Sequence, residues 1–169
     1  LEPGQAQALR EAVPPPVAVV ALFMDTPAAD VRRIVRLLQP DLLQFHGSED
    51  EAFCRAFGRP YLKALAMGAG GAPVEQALAR YPSASGFLLD GHAPGQAGGS
   101  GRRFDWTRAR LPGRSVWLAG GLGPGNVAEA IREAQPYAVD VSSGIERAPG
   151  IKDGAKMQAF IEEVRRADQ

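Results

Sequence analysis

The sequence predicts an α/β protein with a parallel β-sheet, and three features of its 169 residues support that class. Short apolar segments alternate with segments of helical periodicity, each pair taking about 20 to 30 residues. Several apolar segments are hydrophobic on both faces, as in strands that helices cover on both sides. Glycine (20) and proline (14) supply many short connections. No linker or low-complexity run divides residues 1–169, so we expect a single domain, either an open doubly wound sheet or a closed (β/α) barrel.

The first elements alternate helix, strand and helix. Gln5–Val13 has helical spacing and ends at the proline run Pro14–Pro16. Val17–Leu22 is a continuous apolar run, as expected for a strand covered on both faces. Thr26 as N-cap and Pro27 as the first helical residue then open a helix. The apolar stripe of that helix is Val31, Ile34, Val35 and Leu38.

The same order continues to the C terminus. Asp41–Phe45 predicts a strand, and Ser48-x-x-Glu51 is a capping-box pattern that opens a helix to about Phe57. Further strands are predicted at Tyr61–Ala66, Gly86–Leu89, Ser115–Ala119 and Ala138–Val141. Further helices are predicted from Pro73 to about Arg80, at the stripe Val127, Ala130, Ile131 and Ala134, and at the stripe Met157, Phe160, Ile161 and Val164.

Charge and cysteine content narrow the possible functions. Nineteen basic residues balance nineteen acidic ones, so no net charge attracts the chain to nucleic acid or to an anionic membrane. No apolar run reaches the roughly 18 residues of a membrane span. The single cysteine, Cys54, fits a reducing compartment, and we expect a cytoplasmic protein. The partner is therefore expected to be a small molecule or a protein.

Two polar residues stand at the carboxyl ends of predicted strands, where parallel α/β proteins bind their ligands. Asp90 follows Phe87-Leu88-Leu89, and apolar neighbours can raise a carboxyl pKa towards use as a general acid. A carboxylate that caps a turn is an equal alternative. His46 follows the strand Asp41–Phe45 and is a candidate donor to substrate, or acid or base. A hydrogen bond to the local backbone is its more ordinary role.

Two glycine-containing turns follow consecutive predicted strands and suggest a phosphate site. Gly120-Gly121-Leu122 is one, and Ser142-Ser143-Gly144 is the other. Glycines allow close approach of the backbone, and free amides can bind a phosphate without a cationic side chain. The last two strand-to-helix loops form such sites in (β/α) barrels. The sequence has no GxxxxGK[ST] motif and no GxGxxG between a strand and a helix, which argues against a nucleotide.

Four other features have ordinary explanations as well as functional ones. Cys54 lies in a predicted helix beside aromatic residues and is expected to be a core residue rather than a nucleophile. Lys63, within a predicted strand, is a possible Schiff-base lysine or a snorkelling side chain. Arg102 and Arg103 suit an anionic substrate or a solvated loop. The loop 91–101 is either a lid or an idle surface loop.

Four ordered motifs together resemble one family. They are Leu42-Leu43-Gln44-Phe45-His46-Gly47; Leu89-Asp90 with Gly98-Gly99-Ser100-Gly101-x-x-Phe104-Asp105-Trp106; Leu118-Ala119-Gly120-Gly121-Leu122-x-Pro124-x-Asn126-Val127; and Val139-Asp140-Val141-Ser142-Ser143-Gly144-Ile145-Glu146-x-x-Pro149-Gly150-x-Lys152-Asp153. By these motifs the chain resembles phosphoribosylanthranilate isomerase of tryptophan biosynthesis. Ser100, where threonine is usual, and Phe45, where leucine is usual, are mild departures.

The resemblance implies a (β/α)₈ TIM barrel and an Amadori rearrangement of N-(5′-phosphoribosyl)anthranilate to 1-(2-carboxyphenylamino)-1-deoxyribulose 5-phosphate. It implies a phosphosugar substrate, no cofactor, no metal, and a monomer or homodimer. By motif position Asp90 is the acid, while His46 and Asp140 line the mouth of the site. The phosphate is assigned to Gly120, Gly121, Ser142, Ser143 and Gly144.

The resemblance also implies that one catalytic group lies outside these residues. The family's cysteine base belongs to a first-strand Lys-x-Cys-Gly segment, which does not occur here, and Leu1 aligns just after the second strand. We therefore expect residues 1–169 to run from the second to the eighth helix, without the first strand, first helix and second strand. This length of chain alone is expected not to catalyse at family-like rates.

Three alternatives remain at this point. One is an inactive phosphate-binding barrel fragment that keeps the glycine turns. The second is another phosphosugar barrel enzyme, related to indole-glycerol-phosphate synthase, in which Lys63 is the acid. The third is a structural piece that completes its sheet with another chain through uncovered strand edges.

Overall fold

The structure is a computed structural model that describes residues 2–68, 74–91 and 104–168. The helices are α1 (Pro3–Ala12), α2 (Ala28–Leu38), α3 (Glu51–Arg55), α4 (Val74–Ala79), α5 (Val127–Ala134) and α6 (Gly154–Ala167). The strands are β1 (Val20–Phe23), β2 (Leu42–Phe45), β3 (Tyr61–Ala66), β4 (Gly86–Asp90), β5 (Val116–Leu118), β6 (Ala138–Val139), β7 (Glu146–Ala148) and β8 (Ile151–Lys152). Short 3₁₀ helices lie at Trp106–Ala109 and Ser143–Ile145.

Strands β1 to β6 follow one another in chain order. Strand β1 pairs in parallel with β2 and β2 with β3, and the same holds for β4 with β5 and β5 with β6. This order confirms the predicted α/β class with a parallel sheet. Strands β7 and β8 form an antiparallel hairpin that the sequence did not predict. None of the helices in the described ranges is long and apolar enough to cross a bilayer.

The chain divides into two compact units. The first comprises Leu1–Ala64 with Glu75–Ser85, and the second comprises Leu65–Val74 with Gly86–Gln169. Phe45 of β2 is fully buried at the centre of the first unit. Its ring centroid lies 5.9 to 6.0 Å from those of Phe23, Phe53, Phe57 and Tyr61. Phe45 is thus the centre of an aromatic cluster.

The core of the second unit lies where β4 and β5 meet α5. All five residues of β4 are buried, and Leu118 of β5 is fully buried. Val127 and Ala130 of α5 are also fully buried, on the apolar stripe that the sequence predicts. Asn126, before α5, donates from its amide to the Gly121 carbonyl (2.8 Å) and accepts from the Gly123 amide (2.8 Å). These bonds fix the turn between β5 and α5.

Two predicted helix caps are wrong, because the side chains make hydrogen bonds elsewhere. Asp50 rather than Ser48 caps α3, by accepting from the Phe53 amide (2.8 Å). The Ser48 hydroxyl instead donates to Asp25 (2.7 Å). Thr26 makes no cap bond to α2, whose N-cap is Pro27. Helix α3 also ends at Arg55, two residues before the predicted end at Phe57.

Two faces are more exposed than the sequence predicts. The first strand begins at Val20 rather than Val17, since the Val17 amide donates to the Pro14 carbonyl (2.9 Å) in a turn. Leu22 is 59% exposed, so β1 is not covered on both faces. In α6, Phe160 is buried, whereas Met157 is 41% exposed and Ile161 is 47% exposed. The predicted helix start at Pro73 and the loop residues 92–103, with Ser100, Arg102 and Arg103, lie outside the described residues.

Candidate active site

The predicted site residues of the second unit meet in one cleft at the carboxyl ends of β4, β5 and β6. Its lining residues are Asp90, Gly120, Gly121, Leu122, Asp140, Val141, Ser142, Ser143 and Gly144. Every predicted site residue except His46 is among them. His46 lies in the first unit, at the end of β2.

Asp90 is the last residue of β4, and it lines the cleft together with Asp140. The residue is 4% exposed and follows the fully buried Leu88 and Leu89. The Asp90 carbonyl accepts from the Met67 amide (2.8 Å), and the Leu89 carbonyl accepts from the Ala119 amide (2.8 Å). The backbone that carries the carboxyl group is thus held by hydrogen bonds on both sides.

Asp140 directly follows β6 and lines the cleft with its carboxyl group. Its backbone amide donates to the Leu118 carbonyl (2.8 Å). Burial raises the pKa of Asp140 above its ordinary value, and the negative charge of Asp90 raises this pKa further, while Lys152 opposes both. Asp140 therefore holds a proton at higher pH than a solvated aspartate does.

The two glycine turns pack directly against each other. Gly120 (φ +85°) and Gly121 (φ +68°) adopt the left-handed region that favours glycine. At Gly144 a Cβ atom would overlap the carbonyl oxygen of Leu122. Only glycine fits at position 144, because the neighbouring turn's backbone occupies the space. Backbone amides at such turns can surround an anion.

The hairpin after β6 holds the second turn through Lys152. Its Nζ donates to the Ser142 carbonyl (2.9 Å) and to Glu146 Oε1 (2.8 Å). Lys156 Nζ donates to the Glu146 carbonyl (2.6 Å). No role for Lys152 is predicted from the sequence, although this residue lies within the motif that runs from Val139 to Asp153. A lysine beside a glycine turn would have been the signal.

His46 is held by the strands beside it. Its amide donates to the Phe23 carbonyl (2.8 Å), and Gln44 Nε2 lies 3.2 Å from its Nδ1. The two atoms are within hydrogen-bond distance, and the tautomer of the ring decides which of them donates. The other ring nitrogen of His46, Nε2, is buried.

Two other candidates from the sequence are buried. Cys54 is fully buried, and burial raises the pKa of its thiol to about 12, so it is a core residue and not a nucleophile, as predicted. The ammonium group of Lys63 does not extend to solvent, and it is not free to form a Schiff base. Its side chain is 3% exposed and pairs with Glu49 at 3.1 Å.

The family is decided by comparison with known proteins. The family model described as N-(5′-phosphoribosyl)anthranilate isomerase matches residues 1–163. The chain belongs to the N-(5′-phosphoribosyl)anthranilate isomerase family. Its function is that family's isomerisation in tryptophan biosynthesis, which confirms the function that the sequence motifs imply.

Curated relatives and solved structures agree. An N-(5′-phosphoribosyl)anthranilate isomerase of Xanthomonas campestris pv. campestris (strain 8004) is 55% identical, over 98% of this chain and 78% of the relative. One of Stenotrophomonas maltophilia (strain R551-3) is 55% identical, over 98% of this chain and 77% of the relative. The crystal structure of the isomerase from Thermus thermophilus is 36% identical with a TM-score of 0.84, over 97% of this chain and 80% of that one.

Another solved isomerase of the family carries a ligand. It is described as a complex with reduced 1-(o-carboxyphenylamino)-1-deoxyribulose 5-phosphate. It is 30% identical to this chain, with a TM-score of 0.80, over 98% of this chain and 80% of that one. A further structure, from Thermotoga maritima, is described as mutually generated monomers of a dimeric isomerase.

Proposed function

We propose that Asp90 is the general acid of the isomerisation and that the two glycine turns bind the substrate's phosphate. The observation that supports this assignment is the shared cleft, which Asp90, Gly120, Gly121 and Ser142–Gly144 line together. A phosphoribosyl group that is bound by its phosphate at the turns brings its sugar close to the other wall of the same cleft. An acid there is in position to protonate the sugar.

The reaction needs an acid and a base. Asp90 gives a proton to the ring oxygen as the C1′–O bond breaks, and the nitrogen lone pair completes a protonated imine at C1′. A base then removes the C2′ proton, and the electron pair of that bond forms the C1′=C2′ double bond of an enolamine. Protonation at C1′ and loss of the hydroxyl proton give the ketone. The steps isomerise the substrate without an external oxidant or reductant.

The remaining groups bind and orient the substrate. Backbone amides of the turns, with the nearby Lys152 ammonium, offset the charge of a phosphate. The Asp140 carboxyl, which lines the cleft, is assigned a contact with the substrate. A substrate contact is assigned to His46 as well. For His46 this role is supported by its position in the motif Leu42-Leu43-Gln44-Phe45-His46-Gly47.

The base is not Cys54, whose thiol is fully buried and has its pKa raised to about 12. We assign it to a cysteine on a first strand of a (β/α)₈ barrel, ahead of residues 1–169. Uncovered apolar side chains on β1 and α6 support this assignment. Strand β1 has β2 as its one neighbour within the described ranges. Leu22 and Ile161 are 59% and 47% exposed, as expected for faces that further barrel elements cover.

The acid assignment is tested in the complete protein by replacing Asp90 with Asn. Loss of a general acid lowers kcat on the order of 100- to 10,000-fold, measured by the appearance of the ketose phosphate. Binding of the reduced product analogue should change little, since the phosphate turns remain. A D90N enzyme that keeps its kcat would exclude Asp90 as the acid.

The assignment of the base is tested by intact-mass measurement with an activity assay. A protein whose mass matches only residues 1–169 should bind sugar phosphate without turnover, and a longer protein with an upstream cysteine should turn over. Turnover by the 169-residue protein would contradict the assignment.

We also propose that the protein is cytoplasmic and that it is a monomer or a homodimer. Cell fractionation measures the first property, and light scattering measures the second.

A further inference from the structure

A buried ion pair in the first unit is not used by the proposed chemistry. Lys63 of β3 and Glu49, in the loop after β2, have side chains that are each 3% exposed, and Nζ lies 3.1 Å from Oε2. Burial of two charges costs free energy unless their remaining donors and acceptors are also satisfied. The other partners of the pair therefore indicate what it does.

Lys63 binds the backbone on both sides of His46. Its Nζ donates to the Phe45 carbonyl (3.2 Å) and to the Gly47 carbonyl (2.6 Å), in addition to Glu49. These three acceptors match the three hydrogens of an ammonium group. Since the two carbonyls belong to the residues that flank His46, a single side chain fixes the peptide segment that carries the imidazole.

Glu49 holds the same loop from the other side. Its Oε2 accepts from the Gly47 amide (2.9 Å), and its Oε1 accepts from the Asp25 amide (2.7 Å) at the end of β1. Its own carbonyl accepts from the Tyr81 hydroxyl (2.9 Å). The loop after β2 is thereby tied to the loop after β1.

Asp25 completes the connection between these loops. Its Oδ1 accepts from the backbone amide and from the hydroxyl of Ser48, each at 2.7 Å. These bonds lower the pKa of Asp25, the hydroxyl bond being the main cause. Asp25 adopts φ +50°, a conformation that aspartate tolerates better than most residues. The two loops are therefore joined by hydrogen bonds beside His46.

We propose that Lys63 and Glu49 are positioning residues that set the direction of the His46 imidazole. Lys63 acts through the two carbonyls that flank His46, and Glu49 acts through the amides of Gly47 and Asp25. The inference rests on the proposed contact of His46 with the substrate. In this role the Lys63–Glu49 pair differs from a purely structural ion pair, because it affects turnover through the His46 side chain. Lys63 itself is too enclosed to reach a substrate.

A double-mutant cycle in the complete protein tests this inference. A displacement of about 1 Å in a positioned group costs on the order of 100-fold, so Lys63→Met should lower kcat/KM by roughly 10- to 100-fold. When His46 is already replaced by Asn, Lys63→Met should cost less than about twofold further, because the group that it positions is gone. If the two losses simply multiply, Lys63 does not act through His46 and the inference fails.

Tyr61→Phe is the matched control. Tyr61 is a buried residue of the same strand, and its hydroxyl bonds to Glu51 and Ser83 rather than to the His46 segment. Its replacement should lower the melting temperature with little change in kcat/KM, and its effect should multiply with that of His46→Asn. If the effects of Y61F and H46N on kcat/KM are coupled as strongly as those of K63M and H46N, a general loss of stability explains both. That result would overturn the inference.

A second measurement does not depend on activity. The chain has two histidines, and NMR signals of the His46 ring can be assigned by their loss in H46N. In the ligand-free protein these signals should shift in K63M and stay in place in Y61F; unchanged signals in K63M would refute the positioning role. If K63M does not fold, Glu49→Gln, which keeps the side-chain size, takes its place in both measurements. Absence of isomerase activity in the unmodified complete protein would instead refute the proposed function.

Discussion

The loops at the strand ends are held in different ways in the two units. In the first unit, charged side chains hold them: Glu49 binds the backbone amides of Asp25 and Gly47, and Lys63 neutralises it. In the second unit backbone packs on backbone, with Gly144 against Leu122, and a single charged side chain, Lys152, binds the Ser142 carbonyl. There Asn126 closes the turn with a neutral amide.

The difference concerns which charged groups are already engaged within the protein. In the first unit Lys63 has used its donors and Glu49 accepts at both of its oxygens, so neither is available to a substrate. In the second unit the turns are shaped by glycine, and the carboxyl groups of Asp90 and Asp140 line the cleft. In the roles proposed above, the charges of Lys63 and Glu49 position a loop, whereas the carboxyl group of Asp90 takes part in the reaction.

Of the substitutions that compare the two units, Gly144→Ala should cost the most stability, because a rigid backbone occupies the space that the methyl group needs. We expect a loss of stability of about 3 kcal/mol, at the upper end for overpacking, and a loss in kcat/KM on the order of 100-fold as the turn moves. Steady-state kinetics and thermal unfolding measure these effects. Gly125→Ala, with open space around it, is the matched control. Equal effects at both positions would contradict the packing argument.

Gly47→Ala should have a smaller effect, since a side chain rather than a backbone stands in the way. The new Cβ would lie 2.5 Å from carboxyl atoms of Asp25, which can rotate at the cost of its bonds to Ser48. A loss of about 1 kcal/mol is expected, visible in chemical denaturation. Gly4→Ala, in open space on α1, should be neutral or slightly stabilising. A loss at Gly47 equal to that at Gly144 would remove the contrast between the two units.

Asp140→Asn should stabilise the protein in a pH-dependent way. The folded-state pKa of Asp140 is raised above its ordinary 3.8, so the folded state binds this proton more tightly. Its favourable contribution is complete below pH 3.8 and is lost as the pH rises through the raised value. The variant should therefore melt at higher temperature than the parent near pH 7, with the gain disappearing in acid. A gain that is independent of pH would contradict the electrostatic cause.

Cys54→Ala should have the smallest effect on turnover. Loss of one buried sulfur is expected to cost about 1 kcal/mol with no change in kcat, because the thiol is enclosed and has its pKa raised. In the native protein Cys54 should also resist alkylation until the chain unfolds, as peptide mapping would show. Rapid labelling of native Cys54 would contradict its burial.

Local sequence signals predicted the strands and helices better than their ends. Strand β3 has the predicted bounds Tyr61–Ala66, and Asp90 ends β4 as expected, because short apolar runs show clearly in sequence. The cap of α3 was not predicted correctly, since serine and aspartate both commonly cap helices. The choice between Ser48 and Asp50 depends on Asp25, 23 residues before Ser48. The 3₁₀ helices and the hairpin β7–β8 have no strong periodic signal.

The sequence by itself determined the α/β class, the parallel strands and the residues that share the cleft, because ligands of such sheets meet the carboxyl ends of the strands. It also determined the family, through motifs that are contiguous in the chain. Only the tertiary structure decided what Lys63, Glu49 and Asp25 do, and that Gly144 must be glycine. Those roles depend on partners between 14 and 24 residues away and on the close approach of two turns, and contacts of this kind leave no periodic or local pattern in a single sequence.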